Sequence, residues 1–242
     1  MRGAWQRTVS GTVNLFWPEL CLCCESQLMR SQRVLCESCF RKLEKSSVTD
    51  CPRCGEHQEK IGKACLSCTE RELFFSNFGY ALIYSGLGKR LLERGKFHAR
   101  RRVIKFLAQY ARQSFLKASK NRVVVLLPSS HSFLYDLICS VEDSQEPTTI
   151  IMHDVFSQDR TEVATKKLSH HLRFRKLQNE LKILNPPQAS ASVLLCDDIY
   201  TTGATLNQAA RLLHEVVGTE RAKISAWTLF RTNKRYQGDI IA

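Results

Sequence analysis

Ser192–Thr205 reads S-V-L-L-C-D-D-I-Y-T-T-G-A-T, and its interpretation decides what the rest of the chain builds. Ser192 to Cys196 follows Pro186-Pro187 as a short apolar run, long enough for one strand and too short for a helix. Asp197 and Asp198 are expected to end the burial abruptly. Thr201-Thr202-Gly203-Ala204-Thr205 then forms a small, hydroxyl-rich turn. It opens into a helical period of Leu206, Ala209, Ala210, Leu213, Val216 and Val217, closed by Gly218.

A strand, two carboxylates, a threonine/glycine turn and a helix N-terminus suit a sugar phosphate. The first turn of a helix carries unpaired N–H groups and the positive end of the dipole, which attract a phosphate dianion. Gly203 lets backbone approach that phosphate, and Thr201, Thr202 and Thr205 add hydroxyl donors. Asp197 and Asp198 are acceptors for vicinal ribose hydroxyls, at the strand end where open α/β sheets bind ligands. An ordinary helix cap needs one hydroxyl, and here there are three beside paired carboxylates. Neither G-x-x-x-x-G-K-[ST] nor G-x-G-x-x-G after a strand is present. Asp197–Thr205 closely resembles the signature of type I phosphoribosyltransferases, two acidic residues and a T-T-G-x-T loop that holds the ribose 5-phosphate of PRPP.

The 242 residues allow one α/β domain and a small appendage. An apolar fraction of 43% supports a core and argues against global disorder. Residues 1–70 hold ten Lys/Arg against eight Asp/Glu, so +11 of the net +13 lies beyond them. That excess suits a polyanionic small ligand, nucleic acid, or both. No segment approaches a membrane span, and the first twenty residues show neither a sustained apolar stretch nor a small-residue cleavage site. The chain therefore reads as cytoplasmic.

Nine of the eleven cysteines precede residue 70, eight of them as Cys21-x-x-Cys24, Cys36-x-x-Cys39, Cys51-x-x-Cys54 and Cys65-x-x-Cys68. Two intervening residues let both thiolates of a knuckle face one ion, at about 2.3 Å for zinc. Four knuckles make two structural Zn²⁺ sites in a double zinc ribbon. Sequential pairing closes the shorter loops and is preferred, with an interleaved cross-brace the alternative. Regular C-x-x-C pairs in a cytosolic chain favour metal over disulfides, and zinc over an iron–sulfur cluster. Cys23 is spare. Cys139 and Cys196, in apolar runs, read as small core residues.

Residues 1–20 read as an amphipathic segment, 21–70 as the double zinc ribbon and 71–242 as the sugar-phosphate domain, with Tyr80–Tyr84 a strand. Lys89 to Lys105 carries eight Lys/Arg and one acid, Glu93, and fits two helices broken near Gly95. Arg122–Leu127 is a buried strand followed by the turn Ser129-Ser130-His131-Ser132, whose backbone is suited to pyrophosphate. Thr148–Met152 and Ala222–Phe230 are further strands, with a basic tail from Arg231. The polar, basic stretch Asp159–Lys182 is assigned as a mobile hood.

The cysteine-paired segment, the stretch from Tyr84 to Phe97 and the Asp197–Thr205 signature together resemble the ComF family, competence-associated proteins joining a zinc ribbon to a phosphoribosyltransferase domain. The resemblance implies a type I phosphoribosyltransferase-like parallel sheet flanked by helices. It also implies PRPP, accompanied by Mg²⁺, as ligand, and transfer of the phosphoribosyl group with release of pyrophosphate. Asp197 and Asp198 would take the ribose hydroxyls, Thr201–Thr205 the 5-phosphate, and Lys96, Ser129 and Ser130 the pyrophosphate. Single-stranded DNA and competence proteins are the partners the family suggests. The family's Pro-Val-Pro turn and Arg-Gly-Phe-Asn-Gln stretch have no counterpart after Leu126-Leu127-Pro128-Ser129-Ser130. A second reading is a non-catalytic single-stranded DNA-handling protein that keeps the sugar-phosphate pocket.

Overall fold

A computed structural model describes residues 19–29, 34–43, 45, 50–58, 65–97, 100–128, 131–142, 149–158 and 181–232. The expectations for residues 1–18, for Ser129 and Ser130, for the hood over 159–180 and for the tail after residue 232 lie outside these. Strands β1 (Asn77–Ile83), β2 (Val123–Leu126), β3 (Ile151–Met152), β6 (Val193–Tyr200) and β7 (Ile224–Arg231) form a parallel sheet ordered β1-β7-β6-β2-β3. Phe156–Gln158 (β4) pairs antiparallel with Leu181–Ile183 (β5). The helices are α1 (Glu37–Arg41), α2 (Leu66–Thr69), α3 (Gly86–Phe97), α4 (Arg100–Ser119), α5 (His131–Glu142) and α6 (Ala204–Glu215). Among the described residues no helix is long and apolar enough to cross a membrane.

The sheet is covered on both faces, which is why its strands read as unbroken apolar runs. Leu194, Cys196, Val124 and Leu126 pack with α3, α4 and α5 on one face, together with Cys21, Leu35 and Cys39. Val193, Leu195, Val125 and Leu127 pack with α6 on the other, together with Cys51, Cys54, Cys65 and Cys68. The two cysteine clusters therefore lie on opposite faces of the sheet. Trp227 is fully buried, meets Phe115 edge-on at 5.2 Å and donates its indole N–H to Ser114 Oγ at 3.3 Å. Outside the sheet proper, the free side of β1 is covered by the cysteine-rich segment. Phe78 N–H donates to Pro52 O at 2.8 Å, and Lys45 bridges Leu82.

Five expectations need correction. Asp197 and Asp198 do not end the burial; they are 7% and 8% exposed and lie inside β6, which pairs with β7 as far as Tyr200. A central strand stays in the ladder while its neighbours do. No helix break falls at Gly95, which lies within α3, a helix that runs on to Phe97, and packs against α5, where a Cβ would meet Phe133 at 2.8 Å. β1 starts at Asn77, three residues before Tyr80, since Asn77 and Phe78 pair with β7. Cys139 is exposed on the outer side of α5, whereas Cys196 is fully buried. Arg231 belongs to β7 and is 5% exposed, so it is no part of a solvated tail.

Candidate functional site

Successive strand residues alternate faces, so Asp197, following Leu195, leaves β6 on the α6 side and Asp198, following Cys196, on the α3 side. Asp197 Oδ1 accepts the Asp198 N–H at 2.9 Å. Asp198 Oδ2 accepts a hydrogen bond from Lys96 Nζ, on the last turn of α3. The structure thus brings Lys96 to the acidic pair, with side-chain exposures of 26% and 12% for Lys96 and Asp198.

Beyond Tyr200 the chain turns into α6 through Gly203, at φ 76. Thr201 is exposed, and Thr202 and Thr205 are half-buried, so the hydroxyl side of the turn is open. Thr202 Oγ1 accepts the Ala204 N–H at 3.3 Å, a local turn bond. The first intrahelical bond runs from Asn207 N–H to Gly203 O at 2.9 Å. By helix geometry the amides of Thr205 and Leu206 have no intrahelical acceptor. The need for glycine at 203 has a second cause. A Cβ there would sit 2.4 Å from the Tyr200 ring, which lies beneath the turn.

Tyr200, Asn207 and Arg231 went unrecognised in the sequence. Burial raises the Tyr200 phenol well above its usual range, and the ring meets Phe78 at 4.4 Å between centroids. Asn207 Oδ1 accepts the Phe74 N–H at 2.8 Å, and its Nδ2 donates to Glu72 O at 3.0 Å. Arg231 Nε donates to Cys54 O at 2.7 Å, and Nη2 pairs with Glu56 Oε2 at 2.8 Å. The one available signal was an arginine closing an eight-residue apolar strand beside β6.

The eight knuckle thiols group sequentially, Cys21, Cys24, Cys36 and Cys39 in one cluster and Cys51, Cys54, Cys65 and Cys68 in the other. The sulfurs of each cluster lie within 4.8 Å of one another. Separations of 3.8 Å (Cys51–Cys68), 3.4 Å (Cys54–Cys65) and 3.5 Å (Cys24–Cys36) are close to tetrahedral edges. A Zn–S length of about 2.3 Å gives an edge of about 3.8 Å. Backbone amides already point at the sulfurs, Cys36 N–H to Cys21 Sγ at 3.3 Å and Cys65 N–H to Cys51 Sγ at 3.4 Å. The Ser38 hydroxyl draws the Cys36 thiol down to about 5. Burial pushes Cys51 up, but the amides of Cys65, Arg53 and Cys54 outweigh it and hold the thiol at about 7. Burial pushes Cys54 up to about 11, and raises Cys39 and Cys68 further. The donor set fits zinc, which all eight residues would hold in closed structural sites.

A phosphoribosyl transferase domain model matches residues 94–239. The "Competence protein ComFC" of Bacillus subtilis is 26% identical over 241 residues, covering 88% of this chain and 95% of that one. The "DNA utilization protein YhgH" of Salmonella typhimurium is 27% identical over 236 residues, covering 89% and 98%. A hypoxanthine phosphoribosyltransferase from Staphylococcus aureus aligns with a TM-score of 0.34 and 18% identity, covering 55% of this chain and 65% of that one.

Proposed function

The chain belongs to the phosphoribosyl transferase domain family, in its ComF type, and from that premise we propose that it binds PRPP through the turn after β6. The observation that carries this is local. An open Thr201–Thr205 turn with left-handed Gly203 leads into α6 from the carboxyl end of a central strand that carries two buried carboxylates. In this reading the amides of Thr205 and Leu206 and the hydroxyls of Thr201 and Thr205 hold the 5-phosphate. Asp197 and Asp198 take the ribose hydroxyls.

Transfer breaks the bond from ribose C1 to the pyrophosphate oxygen and forms one from C1 to an acceptor's lone pair. The transition state is positively charged at C1. Carboxylates held beside the ring stabilise that charge without moving, and the protein's share is positioning and electrostatics. Mg²⁺ accompanying PRPP would supply positive charge at the pyrophosphate. In the same reading Lys96, which donates to Asp198, takes the pyrophosphate together with Ser129 and Ser130. The sugar-phosphate domain spans 71–242 and the ribbon 21–70, in a cytoplasmic protein.

Calorimetric titration with Mg²⁺-PRPP tests the reading, comparing wild type with Asp197→Ala/Asp198→Ala. Heat from the first and none from the second supports it; equal heats from both overturn it.

The relatives named for competence and DNA utilization, with the basic surface of α3 and α4, favour a second reading, single-stranded DNA handling alongside the sugar-phosphate pocket. Its mark is DNA affinity that falls with salt, with a log–log slope of about −0.7 for each phosphate contacted.

A further inference from the structure

The Thr201–Thr205 turn and the second cysteine cluster are joined by a short packed path. At the cluster end, Gly55 follows Cys54 in a left-handed conformation, φ 68. A Cβ at Gly55 would meet Arg231 Cδ at 2.8 Å, so the knuckle closes directly over that side chain. Arg231 holds the knuckle by its Nε bond to Cys54 O at 2.7 Å and by Glu56 at 2.8 Å. Its guanidinium carbon lies 5.5 Å from the centroid of the Tyr200 ring, within cation–π range. The Tyr200 ring in turn fills the space where a side chain at 203 would stand, 2.4 Å from that Cβ position. A second tie reaches the same place, because Asn207 on the first turn of α6 binds the backbone of Glu72 and Phe74, which follow the cluster.

These contacts leave little freedom. Two left-handed glycines, one in the metal knuckle and one in the turn, are packed against the two ends of one Arg231–Tyr200 pair. Close-packed interiors pass on displacement because no void absorbs it. If the cluster loses its ion, the Cys51–Gly55 knuckle loses the bonds that fix it, Arg231 loses its acceptor on Cys54, and Tyr200 loses its backing. The first cluster packs on the α3 and α4 side, where Arg90 donates to Cys23 O and Arg94 pairs with Glu25 at 3.3 Å.

We infer that Arg231 and Tyr200 are positioning residues through which metal in the Cys51–Cys54–Cys65–Cys68 cluster sets the shape of the Thr201–Thr205 turn, so that sugar-phosphate affinity depends on occupancy of that cluster. This rests on the reading of the turn as the 5-phosphate site. Neither residue touches the phosphate; each acts through the next.

The test uses the full chain, zinc-loaded, with ribose 5-phosphate as the probe and two measurements. One is ribose 5-phosphate affinity. The other, independent of ligand, is hydrogen exchange of the Asn207 amide, which is protected only while Gly203 O is in place at 2.9 Å. Cys68→Ser removes one thiolate of the second cluster. It is expected to speed Asn207 exchange and weaken ribose 5-phosphate about tenfold, within the range for contacting residues. Tyr200→Ala should produce both effects while zinc content stays at the wild-type value, and Tyr200→Phe should restore both. Cys68→Ser added to Tyr200→Ala should change Asn207 exchange no further. The inference is overturned if Tyr200→Ala leaves exchange and affinity at wild-type values, or if the two substitutions act additively. Should Cys68→Ser fail to fold, the zinc-retaining Tyr200→Ala and Tyr200→Phe pair decides. Should wild type ignore ribose 5-phosphate, the phosphate-site reading falls, and the exchange measurement alone still decides the coupling.

Discussion

Replacing Gly203 by alanine and, separately, Gly218 by alanine isolates the packing of Tyr200 beneath the turn. The two glycines flank α6, and both are left-handed, at φ 76 and φ 82. At Gly218 a Cβ would meet nothing within 4 Å, so alanine costs only the backbone strain, about 1–2 kcal/mol. At Gly203 the same strain is joined by a Cβ 2.4 Å from the ring of Tyr200, itself 3% exposed. Forcing a methyl group into a filled site adds about 1–3 kcal/mol. Thermal unfolding of the zinc-loaded chain reads the difference, each kcal/mol moving Tm by about 2–4 °C at this size. Gly218→Ala should lower Tm by about 2–8 °C and leave ribose 5-phosphate binding intact. Gly203→Ala should lower it by a further 2–12 °C or so and abolish binding. In a Tyr200→Ala background the excess should vanish. Equal Tm losses from the two alanines, or an excess that persists without the Tyr200 ring, would refute the reasoning.

Chelation should release about two zinc ions per chain, read colorimetrically, with loss of the ordered ribbon by circular dichroism; protein purified without metal would contradict the donor-set argument. Arg231→Met leaves Glu56 without its cation and Cys54 O without its donor, and should cost about 3 kcal/mol, the lower end for a broken buried pair because Glu56 is 26% exposed. Arg41→Met, in a pair 76% and 62% exposed, should cost under about 0.5 kcal/mol in the same unfolding assay. Lys96→Met should weaken Mg²⁺-PRPP about tenfold or more, the value of a charged hydrogen bond, while ribose 5-phosphate changes less than about threefold. Equal losses for both ligands in calorimetry would place Lys96 at the ribose instead.

Local pattern carried much of this structure into the sequence. The apolar run before Asp197, the helical period after Gly203 and the C-x-x-C spacings each depend on neighbours within a few residues, and the sheet, α6 and the sequential thiol grouping correspond to them. What stayed hidden depends on partners far along the chain. Asp197 and Asp198 look like a strand's end until β7 is known to lie alongside and carry the ladder on to Tyr200. Arg231 reads as the start of a basic tail because Cys54 and Glu56, its partners, precede it by 177 and 175 residues. Gly203 was legible as a tight turn, but the ring beneath it was not, since Tyr200 differs from any other strand aromatic only in what it packs against. Gly95 shows the opposite error. A glycine among helical residues suggests a break, whereas here it makes room for Phe133.

The cover over the free side of β1 has a consequence for handling the protein. β1 carries Phe78, Tyr80, Leu82 and Ile83 on a strand whose outward hydrogen-bonding groups meet Pro52 and Lys45 instead of another chain. Removing the ions would loosen that cover and bare an aromatic, aliphatic strand able to template pairing between molecules. Metal starvation would then show first as turbidity and loss of soluble protein, and restoring zinc before the aggregates mature would be the way to recover it.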